Sequence, residues 1–291
     1  MRITDSIGYR NMLAGVETLN DTLEKASEQV SSGKKLLHLH DSPADSAENL
    51  QIKNQLSQID QYQSNSDAAS FSLQVTDSSL NSLYNLVTSI YSQGSAAANN
   101  FNDANARATY AADIRSQLGQ VLSLANTQVS GRYIFAGSKV TAPAFTAAGD
   151  TATYQGDNEV NTIDIGDGLQ VNQNVVGSGV FSPAFTSISA LLTAIDNGDQ
   201  AGIQTALSQF SGTLAAVNSA RSQVGNDLSS VQNSATTRQA EQTDIQQRQS
   251  TISDADMAVA LTQVSQTQTA LQAALTVGSL LGKQNLFDYL G

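Results

Sequence analysis

The chain has 291 residues and a formal net charge of −12, from 14 Lys and Arg against 26 Asp and Glu. Its only adjacent cationic pair is Lys34-Lys35, which disfavours nucleic acid as a partner, because phosphate binding needs clustered basic side chains. The absence of cysteine excludes disulfides, thiolate metal sites and a cysteine nucleophile. The sequence shows no apolar run of about 18 residues and no apolar signal-peptide core near its start, so we expect neither a membrane span nor a cleavable signal.

The first predicted helix covers about residues 5–30. Apolar residues recur along it at alternating spacings of three and four, which predicts a helix with one apolar seam. Ser31-Ser32-Gly33 should end it, because glycine accepts the left-handed conformation of a helix C-terminus. The predicted seam consists of Tyr9, Met12, Val16, Leu19, Leu23, Ala26 and Val30.

Two further helices are predicted before residue 130. After an irregular link at 34–42, Ser42 suits an N-cap, Pro43 the first helical position and Asp45 a capping box. This second helix should continue to about residue 100, and a third should cover about 103–130. Their seams comprise Leu73, Thr76, Leu80, Leu83, Val87, Ile90, Gly94 and Ala97 in the second helix, and Ala111, Ile114, Leu118, Val121 and Ala125 in the third.

From Gly131 to Pro183 the pattern changes to alternation, which is typical of strands. Residues 132–136 are predicted as a strand, and the apolar residues of 163–171, arranged around Gly166-Asp167-Gly168, predict a hairpin. We interpret this stretch as a small β insertion. Because the ends of an inserted domain usually lie close together, its deletion is expected to be mild.

Three helices are predicted after the insertion, at about 186–196, 199–253 and 255–284. The longest keeps a 4,3 spacing from Ile203 to Ile252 without a slip. Arg221 and Arg238 fall on this seam, either as polar residues that fix the register or as side chains with buried stems and solvated heads.

The predicted fold class is mainly α: an elongated helical bundle or coiled coil formed by the N- and C-terminal segments, with a small inserted β domain. Three parts are expected: a terminal assembly domain (1–41 with 254–291), a central bundle (42–130 with 187–253) and an outer β-rich domain (131–186). The terminal seams are thin and rich in small residues, so we expect them to be marginally ordered alone and to be covered by other subunits. The predicted assembly interface is Met12, Val16, Leu19, Leu23, Val264, Leu271, Ala274, Leu281, Leu286 and Phe287.

Two terminal blocks resemble those of a known family. LEKASEQVSSGKKLLHLHDSPADSAENLQIKNQL is similar to the N-terminal block of the flagellin superfamily, and ISDADMAVALTQVSQTQTALQAALTVGSLLGKQNLFDYLG to its C-terminal block. GRYIFAGSK followed by TAPAF, and the ending NLFDYL, favour the hook–filament junction proteins of that superfamily.

The resemblance implies an extracellular structural component of the bacterial flagellum, exported through the flagellar type III apparatus. It implies a ring of about eleven copies between hook and filament. The implied partners are another hook-associated protein on the hook side, flagellin on the filament side, and an export chaperone at the C-terminal helix. A flagellin-type filament subunit is the alternative, and a ligand-binding or enzymatic β insertion on a helical rod is a third reading.

The remaining candidate sites point to no catalytic residue, cofactor or metal. His38, His40 and Asp41 could ligate a metal, but the sequence offers no third nitrogen ligand, so linker histidines that tune assembly with pH are the preferred interpretation. The GDG at 166–168 and the GSG at 177–179 match no phosphate-loop pattern and are interpreted as turns. Asp254 and Asp256 are interpreted as helix caps.

Overall fold

The computed structural model describes residues 2–38, 40–99 and 103–290, with side chains over 7–38, 40–99 and 103–279. Within these ranges the chain forms six helices and six short strands. The helices are α1 (Arg2–Ser32), α2 (Pro43–Asn99), α3 (Ala104–Ala125), α4 (Gly177–Asp196), α5 (Gln200–Ser253) and α6 (Met257–Leu290). The strands are β1 (Gln128–Val129), β2 (Arg132–Tyr133), β3 (Phe145–Ala147), β4 (Ala152–Tyr154), β5 (Thr162–Gly166) and β6 (Leu169–Asn172). The mainly helical fold with a small β region is confirmed.

Local sequence signals set the helix ends. Gly33 follows α1 with a φ of +69°, a conformation that costs glycine little. Pro43 is the first residue of α2, as predicted. Asp103 caps α3, since its side chain accepts hydrogen bonds from the backbone N–H groups of Asn105 and Ala106.

The chain divides into two compact units, residues 1–58 with 241–291 and residues 59–240. We call them the terminal unit and the core unit. The helices α2 and α5 each contribute residues to both. The three-part division drawn from the sequence places its boundaries elsewhere and stays a prediction.

The core unit buries the predicted seams of its helices. All five seam residues of α3 are buried, and so are the eight of α2 from Leu73 to Ala97. On α5, Ile203, Phe210 and Val217 are fully buried. The 3,4 spacing therefore identified the core-facing side of each long helix.

The β region forms three separate two-stranded antiparallel sheets. The predicted hairpin is confirmed as β5–β6, in which Ile163 pairs with Val171 and Asp167-Gly168 make the turn. The strand predicted at 132–136 is shorter in the structure, where β2 ends at Tyr133. The next three residues, 134–136, are buried in the core instead of continuing a ladder.

Two predictions about α4 are wrong. The helix begins at Gly177, about ten residues before the predicted start, so the GSG at 177–179 is its first turn. Gly177 donates its N–H to the carbonyl oxygen of Phe135 at 3.0 Å, and a Cβ at that glycine would lie 2.6 Å from the same oxygen. The glycine therefore permits a close approach between α4 and the segment after β2.

The insertion is not separable from the helices around it. The rings of Phe135 and Phe181 lie 4.8 Å apart edge to face, and Phe145 lies 5.2 Å from Phe185. All four belong to the single core cluster of this unit. The structure therefore argues against a mild effect of deleting 131–186, because that deletion removes the aromatic centre of the core.

Among the described residues, α4 is the one helix long and apolar enough to cross a membrane, judged by length and composition only. Its large apolar side chains, including Phe181, Phe185 and Ile188, are buried in the core. This burial accounts for its apolar composition without a membrane.

Candidate assembly surface of the terminal helices

The first and last helices, α1 and α6, pack against each other in the terminal unit. Lys34, just after α1, forms an antiparallel bridge with Asp254, just before α6. Further along, a Cβ at Gly278 would lie 2.5 Å from the Cε of Met12, so the methionine packs onto α6 at that glycine. Early α1 thus meets late α6, and the helices run antiparallel. We call them the terminal pair.

The predicted interface residues lie on the inner sides of this pair, where each is half-buried. These are Met12, Val16, Leu19 and Leu23 on α1, and Val264, Leu271 and Ala274 on α6. The predicted side chains of Leu281, Leu286 and Phe287 lie outside the described residues. Much of what the sequence analysis assigned to contacts between subunits is therefore used within one chain, and an additional role in assembly stays a prediction.

A second set of apolar side chains on α6 is exposed. At about 100° per residue, Met257, Leu261 and Leu275 fall on one flank of the buried side, and Val259 and Val277 fall on the other. Val259 is 64% exposed and Leu261 is 53% exposed. The helix is therefore apolar on three sides while α1 covers only one.

The 3,4 spacing does not identify this second set as a surface of its own, because that spacing selects one stripe per helix. The signal was present in α6 as apolar residues two positions apart, as in Val259 and Leu261. A helix that is apolar nearly all round is normally buried. Fully burying one such side chain contributes about 1.5–3 kcal/mol, so the uncovered flanks can supply substantial association free energy.

Short polar contacts join the two links at the base of the pair, residues 33–35 and 253–255. We call this contact the clasp. Lys35 donates its N–H to the carbonyl oxygen of Ser253 at 2.7 Å, and Ala255 donates to that of Gly33 at 3.0 Å. The Lys34 Nζ lies 2.5 Å from the Asp254 Oδ1. Hydrogen bonds from Lys34, Ser250 and Ser253 lower the pKa of Asp254 to about 2.

One of the two predicted caps is confirmed and the other is wrong. The carboxylate of Asp256 accepts the backbone N–H groups of Ala258 and Val259, and so caps α6. The carboxylate of Asp254 instead binds Lys34 across the clasp. Sequence alone could not separate these roles, because Lys34 is 220 residues away from Asp254.

The link between α1 and α2 carries a second ion pair and the chain's two histidines. Lys25 donates from Nζ to the Asp41 Oδ1 at 2.7 Å, and Asp41 also accepts the backbone N–H of His38 at 2.9 Å. These bonds lower the pKa of Asp41 to about 2. The rings of His38 and His40 stack with their centroids 5.3 Å apart.

The chain matches two family models. The bacterial flagellin N-terminal helical region matches residues 3–140, and the bacterial flagellin C-terminal helical region matches residues 207–290. Together the matches cover well over half of the chain, including α1 and α6.

Named relatives point the same way. Flagellar hook-associated protein 3 of Salmonella typhimurium is 26% identical over 191 residues, which are 63% of this chain and 60% of the relative. The protein of the same name from Escherichia coli is 29% identical over 145 residues, 49% of this chain and 46% of the relative. The chain thus matches about half of the length of these relatives, and neither is named as an enzyme.

The fold also matches a solved structure. The crystal structure of Bacillus cereus FlgL superposes with a TM-score of 0.61 at 23% identity, covering 69% of this chain and 99% of that one. Three findings agree with one another: the flagellin helical regions at the two ends, the helical fold shared with FlgL, and the relatives named as hook-associated proteins. The chain therefore belongs to the bacterial flagellin family.

Proposed function

We propose that this protein is a structural adaptor of the bacterial flagellum that joins hook to filament through its terminal helices. The observation that carries the proposal is the terminal pair, in which α6 is apolar on three sides and covered by α1 on one. The similarity to hook-associated protein 3 supports the junction rather than another position in the flagellum.

In this proposal the uncovered flanks of α6 pack against the terminal helices of neighbouring subunits. About eleven copies form a ring. The same heterologous contact, between two different surfaces, joins each subunit to the next and closes the ring. Another hook-associated protein contacts the ring on the hook side, and flagellin contacts it on the filament side. Before assembly, the same apolar helix is the segment that an export chaperone covers, and the protein leaves the cell through the flagellar type III route.

The proposal is tested by complementation of a strain that lacks the gene. We expect the deletion strain to show hooks by negative-stain imaging while its filament material is shed into the medium. The intact protein should restore attached filaments, and Leu261→Asp should not, because it places a charge on an apolar contact surface. Leu169→Asp is the matched control, since Leu169 is a similarly exposed leucine in the core unit.

A second experiment separates the junction protein from the alternative, a flagellin-type filament subunit. Purified protein is concentrated, seeded with filament fragments and imaged. A junction protein should not elongate alone, whereas a filament subunit should form long filaments. Growth of long filaments from this protein would overturn the junction assignment in favour of the alternative.

A further inference from the structure

The link between α1 and α2 brings three metal-binding side chains together. His38, His40 and Asp41 each offer one ligand atom, and these atoms lie within 4.8 Å of one another. The Nδ1 of His38 is 3.9 Å from the Asp41 Oδ2. The sequence offers these three residues as candidate ligands without a third nitrogen, and the structure brings the carboxylate oxygen close enough to both imidazoles to be the third ligand.

The carboxylate of Asp41 is held in place before any ion arrives. Its Oδ2 accepts the backbone N–H groups of His38 at 2.9 Å and Leu37 at 3.3 Å, and its Oδ1 accepts from Lys25. A carboxylate oxygen has two lone pairs, so one acceptor position on Oδ1 remains beside the single bond from Lys25.

The two imidazoles are exposed side chains on a short link, so small rotations can bring them onto one ion. Metal–ligand bonds of about 2.0–2.2 Å place ligand atoms roughly 3–4 Å apart, a contraction of about 1 Å from the observed spacing. Two nitrogens and one oxygen suit borderline divalent ions such as Zn²⁺ and Ni²⁺. Ca²⁺ and Mg²⁺ prefer all-oxygen sites and do not fit this donor set.

We propose that His38, His40 and Asp41 form a binding site for one divalent transition-metal ion, of the class of Zn²⁺ or Ni²⁺. Three protein ligands leave the remaining coordination positions to water. The ion joins both imidazoles to the carboxylate that Lys25 of α1 already holds, and so stabilises the link between α1 and α2. The site is independent of the proposed junction function, since its ligands lie in the link rather than on the exposed flanks of α6.

The composition of the chain makes the test direct. The full sequence has two histidines and no cysteine, so imidazole ligation of an added ion can come from His38 and His40 alone. Full-length protein is titrated with Zn²⁺ by calorimetry, and the histidine ring nitrogens are followed by ¹⁵N NMR. We expect one saturable site, shifted ring nitrogens on both histidines, and increased hydrogen-exchange protection over residues 35–42.

Variants assign the ligands. His38→Ala and His40→Ala should each weaken Zn²⁺ binding by about tenfold or more, because losing even a residue that supports a metal ligand lowers metal affinity by about 10–100-fold. Asp41→Asn should also weaken Zn²⁺ binding. The matched control is Lys25→Gln, which removes the ion pair of Asp41 but keeps every ligand and so should keep the Zn²⁺ affinity of the intact protein. Far-UV circular dichroism checks that each variant remains folded.

Three results would overturn the proposal. One is the absence of a saturable site in the intact protein. Another is unchanged Zn²⁺ affinity in the double variant of both histidines. The third is Asp41→Asn binding as tightly as the intact chain, which would remove the carboxylate from the ligand set. Loss of binding in these variants with normal hook–filament attachment would support the site and leave the junction function untouched.

Discussion

The core unit and the terminal unit use helices of similar design in opposite ways. Every large side chain that is fully buried in the described structure belongs to the core unit, including Phe135, Phe181 and Phe210. In the described part of the terminal unit, the buried apolar residues are Ala26, Ile52, Ile245 and Ala260. The core unit closes its apolar surface within one chain, and the terminal unit leaves much of its own exposed.

The largest expected effect tests whether stability resides in the core unit. Phe181→Ala should destabilise that unit by about 3–5 kcal/mol, because it leaves a cavity beside Phe135 and Phe145 that the core cannot fill. Urea unfolding followed by far-UV circular dichroism measures the change. The control is Phe71→Ala, since Phe71 is 58% exposed and its loss creates no cavity. Equal losses from the two variants would contradict the assignment of the stable core.

A smaller effect on stability is expected in the terminal pair. Leu271→Asp places a charge on the half-buried side of α6 and should cost about 1–3 kcal/mol of local stability. The core unit should remain folded, so hydrogen exchange should increase over α1 and α6 and stay slow over residues 203–230 of α5. Incorporation into flagella should be lost.

The neighbouring exposed position supplies the control for that variant. Thr269→Asp adds the same charge two residues away, on the side of α6 opposite α1 and between the two exposed flanks. It should leave both hydrogen exchange and incorporation close to those of the intact protein. If α1 and α6 of the intact monomer were protected as strongly as α5, the contrast between a closed and an open unit would be wrong.

Sequence periodicity predicted most of the long-helix packing, because each helix buries one side and local spacing defines that side. The buried positions of α3, from Ala111 to Ala125, were all identified in this way. The start of α4 was not identified in this way, because Gly177 and Pro183 favour a loop when only their neighbours in the sequence are considered. At the start of α4, Gly177 makes a close contact with Phe135, which lies 42 residues earlier in the chain.

The candidate surface was predicted in location but not in detail. The terminal helices were expected to be the assembly element. The residues predicted to contact other subunits, where their side chains are described, instead lie between α1 and α6 of the same chain. Periodicity identifies a buried side without saying which molecule buries it. Only the packed pair shows that Leu261 and Val259 remain uncovered.

The clasp offers a pH test of the terminal unit. Because the folded pKa of Asp254 is lowered from 3.8 to about 2, its stabilising contribution is present above about pH 4 and is lost as the pH falls through about 2. Lys34→Gln removes the first cause of this shift and should raise the pKa of Asp254. Carboxyl NMR titration measures it, with Lys35→Gln as the control, since Lys35 binds at the clasp through its backbone N–H. An unchanged pKa in Lys34→Gln would show that the ion pair does not hold the clasp.

The smallest expected effect concerns a polar residue on the seam of the core unit. Arg221 donates from Nε to the Asp77 Oδ1 at 3.0 Å, which joins α5 to α2 and favours the register-fixing interpretation of this arginine. Both side chains are more than 30% exposed, so solvent screens the pair and its coupling should be about 0.2–1 kcal/mol. A double-mutant cycle of Arg221→Gln and Asp77→Asn measures that coupling by urea unfolding.

The comparison pair for this cycle is Arg248 and Asp244, which lie one helical turn apart on α5 and are both more exposed. A pair within one helix cannot set the register between two helices, whereas a pair between helices can. Coupling at Arg221 above that at Arg248 would support a role in fixing how α5 lies against α2. Equal coupling at both sites would instead support the alternative, in which the stem of Arg221 packs on the seam and its charged head is merely solvated.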